Sequence, residues 1–428
     1  MRLEDIILKL ADTGEAGRTI KKGVGMLAGG LMDIAFPFLI PTQDVVEGPG
    51  SSARVAEVLK RNGGTKALVI TDKTLHELGI LNTMLEAMDK DGFPYAIYDG
   101  VEPNPSIENI EAAFDLYKSA GCDCLVGFGG GSSMDAAKGV SCRVAKPDQT
   151  IREMGRLMGY FPISFSGANK KVPYLVAVPT TAGTGAESTV AAVISDHAAD
   201  KKYTVTDIAM RPRTVFLDAS LATGLPPRAT AVTAIDAVSH CVEGYISYGR
   251  NPRGDEWAVK GVRLVKDNIA AAVADGKNLA ARQNLCTAAY CGGQCLNMET
   301  TGYIHPFCHK IGAKYGLVHG RCIGAVMPII LEDYGEVVAP RLAKLAVAAG
   351  IADPKVSQSE QAKQFIQWVR DFNVTYGIDP YIPEIRDEDL DEIADSIMVE
   401  IFVYPNKKVY TRDEIKHLLK VIRGDYAK

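Results

Sequence analysis

The chain has 428 residues, 47% of them hydrophobic and 23% charged, enough to bury the core of one large or two ordinary domains. A formal net charge of −5 and no long basic run argue against nucleic acid as the main partner. No stretch offers the roughly 18 uninterrupted apolar residues of a membrane span.

The nine cysteines are too sparse and irregular for a secreted disulfide framework. Neither Cys122/Cys124 nor Cys291/Cys295 is followed by a second pair at zinc-ribbon spacing, so reduced, mostly buried thiols and a cytoplasmic location are expected. Residues 1–33 read as an amphipathic helical extension, suited to covering a surface or joining the interface of a homodimer or larger homo-oligomer. Within "KKGVGMLAGGLMDIAFPFLIP" (21–41), Asp33 interrupts the apolar run and Pro37 and Pro41 break it, so a signal peptide is not expected.

From about residue 52 to 218, short apolar runs alternate with helical stretches. "KALVITD" (66–72) reads as a buried strand followed by a helix over 74–90. "YAIYDGV" (95–101) is the next strand, and "SIENIEAAFDLYKSAG" (106–121) a helix opened by a serine cap. "CDCLVGFGGGSSMDAAKG" (122–139) is strand, glycine turn and helix; "YLVAVPTTAGTGAES" (174–188) is another strand leading into a turn. This rhythm predicts parallel strands with helical crossovers, an α/β domain over 34–218. After "TVFLDASLATGLPP" (214–227) long helical patterns dominate and predict a helical domain over 219–428.

Two turns of the first domain carry chemistry. Gly127, Gly129, Gly130 and Gly131 end a strand and precede a helix, where glycine admits close approach of a phosphate and free N–H groups favour an anion. The alternative is a tight turn without a ligand, for which three consecutive glycines are more than needed. The spacing is not the G-x-G-x-x-G fingerprint. Thr180, Thr181 and Thr184 of "PTTAGTG" suit the holding of a nicotinamide or ribose. Asp72, at the end of the first strand, either caps the next helix or accepts from a ribose 2′-hydroxyl; in the second role it repels a 2′-phosphate and favours NAD over NADP.

In "AIDAVSHCVEGY" (234–245), Asp236 and His240 lie one turn apart on one helix face. The pair fits a core histidine bonded to an acid, or half of a metal site. "YIHPFCHKIGAKYGLVHG" (303–320) adds His305, His309 and His319, so four of seven histidines fall in two small-residue, apolar segments. His76, His197 and His417 lie in polar surroundings. One carboxylate and three imidazoles make a site for Fe²⁺ or Zn²⁺ with a position left open for substrate.

Over about residues 35–428 these motifs, in this order, resemble those of the iron-containing (group III) alcohol dehydrogenases. "GGGSSMDAAK" is similar to the family's phosphate turn, "PTTAGTGAES" to its threonine-rich segment, and the fourteen-residue interval His305–His319 to that of its H-x3-H-x9-H-G. The resemblance implies a Rossmann-like α/β dinucleotide-binding domain plus an all-α metal-binding domain, the dehydroquinate synthase-like architecture, with the metal in a cleft between them. It implies NAD(H) held by Gly129, Gly130, Gly131, Ser132, Asp135, Thr180, Thr181, Thr184 and by Lys202 near the nicotinamide ribose. It implies Asp236, His240, His305 and His319 as ligands of Fe²⁺ (or Zn²⁺), and His309 as a catalytic residue that assists proton transfer. The expected reaction is hydride transfer between nicotinamide and a short-chain alcohol or aldehyde.

The chain departs from the family around the expected substrate pocket. "LNMETTGYI" (296–304) precedes His305, "RCI" follows Gly320, and Ala191 is small. Lys310 and Arg321 raise the reading of a short anionic aldehyde, against plain surface charge as the alternative. The rivals are a dehydroquinate synthase-like lyase, a glycerol dehydrogenase-type polyol oxidoreductase and a non-catalytic scaffold.

Overall fold

The computed structural model describes residues 7–9, 16–27, 40–158, 172–199, 201–248, 251–404 and 406–427. The expected boundary at residue 33 lies outside them. Two compact units emerge: one is Phe38–Leu225 with Ala274–Gly293, the other Met1–Pro37, Pro226–Val273 and Gln294–Lys428. The division thus falls at Leu225/Pro226 rather than at 218, and 274–293 joins the α/β unit. Side chains explain that return: Gln283 Nε2 donates to Leu217 O and Arg282 Nη2 to Leu225 O, both at 2.9 Å.

The α/β unit is built on β1 (Asp44–Glu47), β2 (Ala67–Ile70), β3 (Tyr95–Tyr98), β4 (Cys124–Gly129), β5 (Tyr174–Pro179) and β8 (Thr214–Leu217). They form one parallel sheet in the order β1-β8-β5-β4-β2-β3. Alternation along each strand feeds two cores. Leu68, Ile70 and Leu125 pack with Ile110, Phe114 and Val140 on one face; Val69, Val126 and Phe128 pack with Leu59, Leu81 and Met84 on the other. From β2 the chain turns to β3 on one side and to β4 on the other, which makes the C-terminal ends of β2 and β4 a topological switch point, the usual ligand crevice of such sheets.

Three local features differ from the sequence expectation. The helix predicted over 74–90 is two, Lys73–Glu77 and Asn82–Lys90, because Gly79 takes φ 68° between them. β6 (Ala191–Asp196) and β7 (Lys201–Thr206) form an antiparallel hairpin that the sequence did not announce. The N-terminal helix at 16–27 is present, but it buries Gly17, Lys21 and Gly25 while Ile20, Met26 and Leu27 are exposed. The serine cap of Ile107–Ser119 is a full capping box between Ser106 and Asn109.

The other unit is helical in every described element; those that matter below are α2 (Pro227–Ile246), α4 (Ile304–Tyr315), α5 (His319–Tyr334) and α6 (Leu390–Glu400). Leu279–Met298, α3, contributes its start to the α/β unit. Among the described residues no helix is long and apolar enough to cross a membrane, and all nine cysteines are free and buried.

The helix after the glycine turn, α1 (Gly131–Ala145), is fastened by a fully buried lysine. Lys138 Nζ donates to Thr189 Oγ1 and Ala191 O at 2.7 Å and lies 3.5 Å from Asp135 Oδ1, while Asp135 Oδ2 accepts from Val193 N at 3.0 Å. Burial pushes Asp135 up and Lys138 down, each opposed by the other's charge. Removing one charge would strand its partner. Lys138→Met is therefore expected to cost about 3–5 kcal/mol in denaturant unfolding of the protein; an unchanged midpoint would contradict this role.

Candidate metal centre and cofactor turn

On α2, Asp236, His240 and Glu243 fall within about 60° of helical arc, so one face presents all three. Pro227 opens the helix, and small residues (Ala234, Ala237, Ser239, Gly244) let neighbours approach. Gly320 is needed for a related reason: a Cβ there would collide with Val232 O, so only glycine lets the start of α5 press onto α2 and bring His319 to Asp236.

Asp236 is 3% exposed and sits at the centre. The Nε2 atoms of His319, His305 and His240 lie 3.4, 3.7 and 3.9 Å from its Oδ1. Four ligands around one tetrahedral ion would stand about 3.4 Å apart given metal–ligand bonds of about 2.1 Å. Asp236, His305 and His319 form a tight triad whose ligand atoms lie within 4.8 Å of one another; His240 stands slightly outside it. Burial pushes the Asp236 carboxyl up, but the His240 and His319 imidazoles outweigh it and hold it well below the usual range. Yet Asp236 Oδ1 and His305 Nε2 are buried with no hydrogen-bond partner. An ionised carboxylate facing an unsatisfied imidazole nitrogen fits a divalent cation. His319, with 39% of its side chain exposed, marks the open side.

Glu243, which closes the D-A-x-x-H-x-x-E pattern of 236–243 but was given no role from sequence, completes the centre. It is fully buried, with Oε2 bonded to His305 Nδ1 and Oε1 accepting from Gly302 N at 2.9 Å and Ile304 N at 2.7 Å. With Nδ1 engaged by Glu243, His305 presents Nε2 to Asp236, and the two carboxylates outweigh burial in raising its pKa to about 10; a cation bound at Nε2 would displace that proton. The signal of Glu243 was present in the sequence, seven residues after Asp236 on the same face.

His309, one turn beyond His305, is 2.8 Å through Nδ1 from Glu400 Oε1, and its ring stacks on that of His319 with centroids 5.5 Å apart. Burial lowers the His309 pKa despite Glu400, so the imidazole tends to be neutral. Glu400 in turn is held well below the usual carboxylate range by Lys310 and His309, which outweigh its burial. Lys310 Nζ is 2.7 Å from Glu400 Oε2, and Arg321 pairs with Asp379 at 2.9 Å and Glu384 at 2.8 Å. Both cations considered for an anionic substrate are thus paired with carboxylates of the protein itself.

In the α/β unit the glycine turn sits at the switch point. Gly129 takes φ 141°, and no side chain caps α1 at Gly130. A Cβ on Gly131 would stand 2.9 Å from Thr184 Cγ2, and one on Gly130 3.6 Å from Thr181 Cγ2, so these threonines flank a bare backbone cradle. Thr180 N donates to Gly129 O at 2.9 Å and locks the two turns together. Asp72 does cap the following helix, its Oδ1 accepting from Leu75 N at 3.0 Å. Ser132 and Lys202 are joined by a residue the sequence did not single out: Asn104, at φ 58°, donates its N–H to Ser132 Oγ at 3.1 Å and accepts from Lys202 Nζ at 3.0 Å. Asp135, also expected at the cofactor, has its oxygens engaged by Val193 N of β6 and by Lys138.

Glu243→Gln is expected to weaken metal binding about 10–100-fold in a chelator competition; unchanged affinity would contradict the role given to Glu243.

Comparison with known proteins agrees with this layout. Residues 41–219 match the iron-containing alcohol dehydrogenase model and 230–422 the C-terminal model of the same family. The chain is 31% identical to the NAD-dependent methanol dehydrogenase of Bacillus methanolicus, over 90% of this chain and 98% of that one. It is 29% identical to lactaldehyde reductase of Escherichia coli K12, over 87% and 95%. Among solved structures it is similar to the alcohol dehydrogenase of Oenococcus oeni (TM-score 0.83, 30% identity, 90% and 99% covered) and to a 1,3-propanediol oxidoreductase (TM-score 0.83, 28%, 90% and 98%). These likenesses favour a dehydrogenase over the lyase alternative. With a family match across both units and a buried Asp-His₃ centre of the expected chemistry, the chain belongs to the iron-containing alcohol dehydrogenase family and is an NAD-dependent alcohol dehydrogenase.

Proposed function

We propose that this dehydrogenase interconverts short, uncharged aldehydes and alcohols, using NAD(H) and Fe²⁺ (or Zn²⁺), as a cytoplasmic homo-oligomer. The observation that carries the metal-dependent reading is the buried Asp236 carboxylate ringed by three imidazole nitrogens at 3.4–3.9 Å. Two things support an uncharged substrate. Lys310 and Arg321 are already paired with carboxylates. Two relatives are named for methanol and lactaldehyde, both uncharged, whereas a third is named for choline, a cation.

Asp236, His240, His305 and His319 would hold the ion. When bound, it supplies a Lewis acid for the substrate oxygen, and the nicotinamide supplies or accepts the hydride. The rest falls to the protein. Glu243 keeps His305 in the ligating tautomer. His309 is held through Nδ1 by Glu400, leaving Nε2 to accept the alcohol proton or return it. The bare N-terminus of α1 and the glycine turn would receive the pyrophosphate, with Thr181, Thr184 and Lys202 beside it. Asp72 uses one oxygen as a cap and leaves the other for a ribose 2′-hydroxyl, which disfavours a 2′-phosphate.

Metal-stripped protein reloaded with Fe²⁺ or Zn²⁺ is expected to oxidise NADH in preference to NADPH on a panel of short aldehydes. Uncharged members should be turned over fastest, with activity lost in His305→Ala. Faster turnover of a carboxylated or sulfonated aldehyde would refute the uncharged class. No NADH consumption with any metal would refute the function. Glu400→Gln is expected to lower kcat roughly tenfold or more while metal content stays unchanged; an unaltered kcat would remove Glu400 from the proton path.

A further inference from the structure

The helix at 16–27 lies ahead of the family match, which begins at residue 41. Its seating is unusual for an amphipathic helix. The face turned to the protein carries Gly17, Lys21 and Gly25, and the large apolar residues Ile20, Met26 and Leu27 point to solvent. Apolar burial is therefore not what chooses its position.

Polar contacts hold it instead, among them those of Arg18 and Lys21. Arg18 Nη2 pairs with Glu414 Oε2 at 2.9 Å, an exposed contact worth little by itself. Lys21 is 7% exposed, and its Nζ donates to Tyr303 Oη at 3.1 Å. A lysine is seldom buried without a specific partner, because desolvating the amine and fixing its long stem are both costly. Here burial pushes its pKa down to about 7.

Tyr303 is fully buried and stands two residues before the ligand His305. Its N–H donates to Tyr334 Oη at 3.3 Å, and Tyr410 N donates to its hydroxyl at 3.4 Å. The flanking N–H groups of Gly302 and Ile304 donate to Glu243. The stretch 302–305 is thus a backbone platform for His305, and Lys21 is the support it receives from the extension. The same helix faces Met398 and Phe402, which flank Glu400, the partner of His309.

We propose that the N-terminal helix is a working part of the metal centre, with Lys21 a positioning residue that fixes Tyr303 and through it the approach of His305 to the ion. This rests on the metal-dependent function proposed above.

The test uses full-length protein loaded with Co²⁺, well below its unfolding temperature. Lys21→Met is expected to shift the visible absorption of the ion and to speed its loss to a chelator roughly tenfold, the lower end of effects seen for partners of ligands. Tyr303→Phe, which keeps the ring and removes the acceptor, should reproduce both changes. The double variant should add nothing to the larger single effect. Arg18→Ala, which loosens only the exposed anchor, should leave both unchanged. An unaltered spectrum and chelation rate in Tyr303→Phe and Lys21→Met would overturn the proposal even if Tm fell, since a merely structural contact moves Tm alone. Should Lys21→Met fail to fold, Tyr303→Phe decides by the same criteria. A wild-type protein that takes up no Co²⁺ would instead overturn the metal-dependent function, and this proposal with it.

Discussion

A carboxylate removed from water must be met by opposite charge, and in the helical unit that constraint is concentrated on Asp236. Its compensation comes from His240 on its own helix, His305 on α4 and His319 at the start of α5. Three helices have to converge for this to occur, and their convergence explains otherwise separate features. Gly320 is bare because α5 must touch α2 at Val232. Glu243 is buried without cost in unpaired oxygens because it binds the backbone that delivers His305 as well as the ring itself. Imidazoles surround a low-pKa acid, and a cation would satisfy the atoms left without hydrogen-bond partners.

Two carboxylate–histidine pairs then divide the labour. Glu243–His305 is fully enclosed and fixes the imidazole beside Asp236. Glu400–His309 is partly open, shared with Lys310, and leaves a neutral imidazole nitrogen able to exchange a proton. The same residue types serve different ends because burial and neighbours differ. The α/β unit works otherwise. At its switch point the turn offers main-chain N–H groups on glycines, flanked by threonine side chains, and the charged pair Asp135–Lys138 fastens the helix that follows.

Much of this was legible in the sequence. Short continuous apolar runs located parallel strands such as β2 and β4, because burial on both faces of the sheet forces them, and a serine start located the capped helix at Ser106. Histidine scarcity and spacing pointed to the cluster that gathers around Asp236. What escaped was decided by contacts remote in sequence. The β6–β7 hairpin has no turn signature, and Asn104 acquires meaning only when the fold sets it beside Ser132 and Lys202. Glu400 lies 91 positions from His309, beyond any local pattern. Lys310 and Arg321 looked available to an anion because their partners could not be seen. The N-terminal helix was expected to be amphipathic, and its buried lysine could be identified only from its place against Tyr303.

The account stands most directly on the ion itself. Diffraction from the metal-loaded protein at the absorption edge of iron, repeated for zinc, would locate it. The prediction is one anomalous peak within coordination distance of Asp236, His240, His305 and His319, with His305 Nδ1 still on Glu243. No peak there, or one centred on His309 and Glu400 instead, would contradict the assignment of Asp236 as the centre of the site.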